Sequence, residues 1–328
     1  MEIIDLQLHE PAPFEDWAAA DVQTRRRVLT EALWQSMDAV GVNAVALNPL
    51  EDQTWMLDLA ARFPDRVAAV PSIGEDTADV EARVAGLYAR PGVVAIRFGA
   101  LKTPVTFVGD RGLTVGPESL DQFIAGRHDA AFTACEKQGV PIWVEIQGAA
   151  YAIERVARTF PELQIIIDHM GINQPPAQPR DVPPWKDLPT VLALSQYENV
   201  AIKVGTPLSL SDEGYPWADT WPAFTQLLEA FGPQRLGWAS DIGYKRGRSG
   251  YQMRLVSAAT ADAMARYHFA PEANVPGPPP GSPDFPGKHT YMDSLAYFLY
   301  NDQLSASEKE QILGKTARRL LKWPAAAS

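Results

Sequence analysis

The sequence predicts a (β/α)8 barrel, and three observations carry that reading. Short β-branched runs alternate with amphipathic helical stretches almost from end to end, and eight such runs can be counted. The 328 residues exceed the ~250 typical of a barrel, which leaves room for insertions. Polar residues able to bind a cation or move a proton close several of the runs. A parallel sheet presents its C-terminal edge there, and α/β proteins hold their chemistry at that edge.

The first strand is expected at 3–8, opening on Ile3-Ile4, followed by alanine- and valine-rich runs at 43–47 and 66–70. Val93-Val94-Ala95-Ile96-Arg97 supplies the fourth, at 93–97, and the remaining four are expected at 141–146, 164–168, 199–204 and 235–239. Helical patterns lie between them at about 25–39, 51–63, 76–89, 119–138, 149–160, 186–197 and 217–231, with a final helical region over 290–322. A doubly wound open sheet is the alternative, but no G-x-G-x-x-G follows an early strand, which weakens a nucleotide-binding version. Without repeats or an interdomain linker, residues 1–328 read as one domain.

Three connections are longer than α/β units normally need: 98–117, 170–185 and 242–289. In a barrel all three leave the catalytic face. Two are proline-rich, through Pro175-Pro176-Ala177-Gln178-Pro179 and Pro276-Gly277-Pro278-Pro279-Pro280-Gly281. Such segments serve as semi-rigid surface excursions or as pocket walls. The 242–289 insertion carries Tyr251, Tyr267, Phe269 and Phe285, which suits either a lid over the strand ends or a subunit contact.

A formal net charge of −11 argues against nucleic acid, whose phosphates would be repelled, and no basic stripe interrupts the acidic balance. Cys135 is the single cysteine, so neither an internal disulfide nor a thiolate metal cluster is expected. The start lacks a basic segment followed by a long apolar one, and no apolar run approaches the ~20 residues that span a bilayer. The expectation is a soluble cytoplasmic protein acting on a small molecule, with homo-oligomerisation left open.

The candidate site rests on the strand ends. Gln7 and His9 share one side of the first strand by period-two alternation. His169 follows Asp168 before a glycine turn, and Asp241 closes Trp238-Ala239-Ser240-Asp241. Alone, each histidine is more often a hydrogen-bonded structural residue, and Asp241 has an alternative as a helix N-cap. Together, His9, His169 and Asp241 form a set that holds one divalent ion and leaves positions for water and substrate. Arg97 and Lys203 suit recognition of substrate oxygens, with internal ion pairing as the alternative. Tyr244 and Lys245-Arg246 follow Asp241 closely, His289 lies beside the insertion as a further substrate contact, and His128 reads as a surface or capping residue.

Asp5-Leu6-Gln7-Leu8-His9, Asp168-His169-Met170-Gly171 and Ser240-Asp241 resemble the motifs of the amidohydrolase-related family, the second amidohydrolase group. The ending Ile312-Leu313-Gly314-Lys315-Thr316-Ala317-Arg318-Arg319-Leu320-Leu321-Lys322-Trp323 is similar to the helix that closes this family's barrel, so the resemblance spans 3–323. It implies a distorted barrel with one metal ion or none, and lactonase, other hydrolase or nonoxidative decarboxylase chemistry with Asp241 as general base or proton donor. The family usually opens with His-x-His, whereas this chain has Gln7, as a Gln-x-His subgroup does. An amide oxygen is a poorer zinc ligand than imidazole, which points to weaker binding, a harder ion such as manganese, or metal-free work. Glu145 stands where relatives often place a histidine; it would restore a ligand and a charge, or pair with Lys203 or Arg97.

The leading expectation is a metal-assisted hydrolase of a small, cyclic ester or amide, with zinc or manganese on His9, His169 and Asp241, supported by Glu145 and Gln7. The alternatives are a metal-dependent decarboxylase of an aromatic or unsaturated acid and a non-catalytic binding barrel.

Overall fold

The computed structural model describes residues 1–9, 21–48, 52–73, 79–100, 105–106, 114–115, 117–174, 180–205, 207–241 and 291–324. The insertion expected as a lid or subunit contact, with Tyr244 and His289, lies outside these residues, as does most of 98–117.

All eight expected strand regions form parallel strands: β1 (Ile4–Leu8), β2 (Ala44–Leu47), β3 (Val67–Ala69), β4 (Ile96–Gly99), β7 (Ile142–Glu145), β8 (Ile165–Ile167), β9 (Val200–Val204) and β10 (Leu236–Trp238). A short antiparallel pair, β5 (Val105–Thr106) and β6 (Thr114–Val115), was not expected and sits inside the connection after β4. Helices α1 (Val22–Val40), α2 (Gln53–Arg62), α3 (Val80–Tyr88), α6 (Ile153–Thr159), α7 (Leu188–Ala193) and α8 (Trp221–Phe231) alternate with the strands. The helix expected at 119–138 is broken into α4 (Pro117–Ile124) and α5 (Asp129–Gln138). Gly126 causes the break: its φ is +85°, and a Cβ there would lie 2.6 Å from Asp129 Oδ2.

The strands form two continuous ladders, β1-β2-β3 and β4-β7-β8-β9-β10, that together make an α/β barrel without a closed ring of ladder bonds. At one seam Pro71, two residues beyond the end of β3, has no N–H to give. Contact with the β4 region is reduced to isolated bridges, Ala69 with Val93 and Ser72 with Arg97, so the regular strand begins later than 93. At the other seam, between β1 and β10, Asp241 N donates to Gln7 O (2.9 Å). The Asp5 carboxylate does the rest, accepting from Ser240 N (2.8 Å) and Ser240 Oγ (2.5 Å).

Alternation sorts the apolar residues into two layers. Ile4, Leu6, Ala44, Ala46, Ala68, Ala95, Trp143, Ile166, Ala201 and Ala239 fill the barrel. Val45, Leu47, Ile142, Val144, Ile165, Ile167, Val200 and Ile202 face the helices. Strand β1 departs from strict alternation. Its register against β2 shifts between Asp5 and Leu8, so one extra residue is absorbed. Asp5 therefore faces the helix layer, on the side of Tyr291, while Gln7 and His9 face the mouth.

Helix α9 (Tyr291–Leu299) packs outside β10, where Trp238 Nε1 donates to Ser294 Oγ (3.1 Å). The chain ends in α10 (Ala306–Glu310), a π-helical turn (Gln311–Lys315) and α11 (Thr316–Leu320). Ala317, Leu320, Leu321 and Trp323 join the inner layer from the N-terminal end of the barrel. Thr316 Oγ1 and Trp323 Nε1 fix this plug by donating to the carbonyls of Pro233 and Pro64, just before strands begin. No helix among the described residues is long and apolar enough to cross a membrane.

Candidate active site

Parallel strands with polar terminal residues bring a dense charged cluster to the opposite end. His9 follows β1, Asn48 follows β2, Arg97 lies in β4, and Glu145 ends β7. Asp168 and His169 follow β8, Lys203 lies in β9, and Asp241 stands three residues beyond β10. All are buried. His169 and Asp241 have φ values of +53° and +57°, and neither is glycine. That left-handed backbone costs on the order of 1–3 kcal/mol per residue and persists only where surrounding contacts enforce it.

One half of the cluster is built on Asp241. Its Oδ1 accepts from Gln7 Nε2 (2.6 Å) and lies 2.9 Å from His9 Nε2. Its Oδ2 lies 3.7 Å from His169 Nδ1. His9 Nδ1 faces the Asn48 carbonyl at 2.5 Å, so that nitrogen carries a proton and Nε2 is aimed at Asp241. Burial works against the ionised Asp241, but His169, His9 and Arg97 outweigh it and hold the carboxyl below its ordinary range. His169 is less committed: among the described residues its ring makes no hydrogen bond, while its carbonyl accepts from Gln174 Nε2 (2.9 Å).

The other half is a closed ion network. Arg97 Nε donates to Asp168 Oδ2 (2.7 Å), its Nη1 to Asn48 Oδ1 (2.8 Å), and its Nη2 pairs with Glu145 Oε2 (3.1 Å). Lys203 Nζ pairs with Asp168 Oδ1 (2.5 Å), donates to Gln7 Oε1 (2.6 Å), and lies 3.3 Å from the Trp143 ring centroid. Burial opposes charge on Asp168 too, yet Lys203, Arg97 and His169 bring it down to about 2. Burial moves Lys203 the other way, down to about 8 against the pull of Asp168. Burial likewise disfavours a charged Arg97, but Glu145 and Asp168 override it and raise the guanidinium further.

The structure thus brings His9, His169, Asp241 and Gln7 together at the mouth. Glu145 takes the alternative setting, paired with Arg97. Arg97 and Lys203, expected as substrate contacts or internal ion pairs, bond among the described residues to Asp168, Glu145, Asn48 and Gln7, and Lys203 has no exposed surface. His128 stands at the N-cap position of α5 without a side-chain cap bond, its ring packs against Phe98 (5.4 Å) and Phe132 (6.0 Å), and burial lowers it to about 4. Sequence reasoning passed over Asn48 and undervalued Asp168. Asn48 carried the same signal as the others, a polar residue closing the apolar run Ala44-Val45-Ala46-Leu47.

Two imidazoles and a carboxylate suit a divalent ion. The Asn48 carbonyl behind His9 is the kind of outer support that orients a metal-binding imidazole. By residue type His9, His169 and Asp241 suit such an ion as a donor set, although among the described residues no three His, Cys, Asp or Glu side chains are arranged to hold one. Glu145 is tied to Arg97 and lies outside that set.

Comparison with known proteins places this fold. A Pseudomonas putida structure described as a 2-pyrone-4,6-dicarboxylic acid hydrolase superposes with a TM-score of 0.61 at 19% identity, covering 98% of each chain. A zinc-bound amidohydrolase from Burkholderia multivorans gives 0.58 at 16% identity, over 99% of this chain and 100% of that one. The 2,6-dihydroxybenzoate decarboxylase of Rhizobium gives 0.52 at 13%, over 98% and 99%. At these identities the likeness is one of fold. No curated protein matches by sequence. The amidohydrolase family model matches residues 4–323, and the chain therefore belongs to the amidohydrolase family, in its second group.

Proposed function

We propose that this enzyme is a metal-assisted hydrolase of a small cyclic ester or amide of the lactone type. The supporting observation is a buried carboxylate, Asp241, kept ionised between two imidazoles at the barrel mouth. Such a group is placed and charged to take a proton from water. The resulting hydroxide attacks the ring carbonyl carbon, the ring C–O or C–N bond breaks, and the proton held by Asp241 passes to the leaving atom. The uncommitted His169 ring is available to the carbonyl oxygen as negative charge builds on it. A divalent ion bound by His9, His169 and Asp241 would supply Lewis acidity and a more acidic water. Arg97 and Lys203 keep Asp168 ionised and the strand ends fixed, and substrate oxygens have to find other partners.

The test is metal analysis of the purified protein, followed by a screen of lactones against hydroxybenzoates with and without added zinc or manganese. Ring opening of a lactone with release of acid, stimulated by the ion, is the expected result. Carbon dioxide release from a hydroxybenzoate, with no lactone opened, would replace this reading with the decarboxylase.

A further inference from the structure

The Gln7 side chain joins the two halves of the cluster, Lys203 at one end and Asp241 at the other, and its orientation is chemically fixed. Lys203 Nζ is a donor only, so the Gln7 atom 2.6 Å from it is the amide oxygen. The opposite end must then be the NH2 group. It meets Asp241 Oδ1 at 2.6 Å, and an ionised carboxylate only accepts. Both ends agree, and the reverse orientation would set NH2 against an ammonium and oxygen against a carboxylate.

We propose that Gln7 is a positioning residue that holds Asp241, locked in place by the buried Lys203 ammonium, and that it is not a metal ligand. The only metal-binding atom of its amide is engaged by Lys203, while the NH2 end of the same amide faces Asp241. To turn that oxygen toward an ion, Lys203 would have to give up one of two oxygen partners while fully buried, and an unsatisfied buried charge is strongly disfavoured. The polarised NH2 is in turn a strengthened donor, and chains of hydrogen bonds reinforce one another in a low-dielectric interior. A buried ammonium on β9 thus helps orient a carboxylate beyond β10 through an amide on β1. The inference rests on the reading of Asp241 as the working carboxylate.

Two experiments test it. The first is a crystal structure of the wild-type protein grown in excess zinc. The Gln7 oxygen should remain on Lys203 whether or not zinc binds; an oxygen turned onto zinc overturns the proposal, with no substrate needed. The second compares Gln7→Glu with Gln7→Met on the substrate found in the lactone screen. Gln7→Glu keeps an oxygen for Lys203 but faces Asp241 with another oxygen. It should melt no lower than Gln7→Met yet lose roughly 10- to 100-fold in kcat, the equivalent of one hydrogen bond to a charged group. A purely structural Gln7 would be rescued by Glu, and a ligand would be improved by it, so wild-type turnover in Gln7→Glu also overturns the proposal. Failure of the hydrolase reading shows separately, as an inactive wild type in the screen.

Discussion

The two halves of the barrel mouth each set buried carboxylate against nitrogen-bearing side chains but differ in what they leave unfinished. Around Arg97 and Lys203, cations and carboxylates answer one another within 2.5–3.1 Å. Around Asp241 the carboxylate is surrounded, but the His169 ring stays 3.7 Å away and bonds to nothing else described. The first half is a scaffold whose charges are consumed internally. Under the proposed function the second supplies the proton acceptor, beside an imidazole that makes no hydrogen bond among the described residues. Charge alone does not mark an active site; incompletely committed charge does.

The largest expected effect tests that contrast directly. Asp241→Asn should lower kcat by roughly 10²- to 10⁴-fold, the usual contribution of a general base, while the melting temperature stays within a few degrees. A variant that unfolded instead would move Asp241 into the scaffold. Lys203→Met should do the reverse. Removing one partner of a buried ion pair costs about 3–5 kcal/mol, readable as a fall of roughly 10 °C in melting temperature. Unchanged thermal stability would show that the network is not a clamp.

Asp5 sharpens the comparison from the back of β1. Burial raises it to about 6, against hydrogen bonds from Ser240 and Gln7 that lower it. A group whose folded value lies above its unfolded one binds more protons when folded, so its contribution is complete below about 4 and is lost as pH rises through about 6. Urea unfolding at pH 4 and pH 7 should show wild type losing about 2 kcal/mol more over that interval than Asp5→Asn. Asp168 carries the opposite sign. Its folded value near 2 lies below the unfolded one, so its contribution holds above about 4 and fades as pH falls toward 2. Parallel curves for wild type and Asp5→Asn would mean that the seam carboxylate does not titrate as a buried group. The smallest effect lies away from the mouth. Gly126→Ala should cost about 1–2 kcal/mol through its positive φ and the Asp129 collision, with turnover unaltered.

What sequence alone determined follows from periodicity and position. Alternating β-branched and amphipathic runs located all eight parallel strands, because burial between layers demands that pattern whatever the partners. Polar residues closing those runs located His9, His169, Asp241, Arg97, Glu145 and Lys203 at one end, because a parallel barrel has a single C-terminal edge. Tertiary structure decided the pairing. Sequence left Glu145 divided between metal and salt bridge, and only the folded barrel brings its carboxylate to Arg97. The register shift in β1 that sends Asp5 outward and Gln7 inward depends on pairing with β2. The commitment of the Gln7 oxygen to Lys203, 196 positions away, has no local trace in either strand. Periodicity is a property of each segment and can be read from it, whereas the partner of a buried charge is set by which strands become neighbours when the sheet curls.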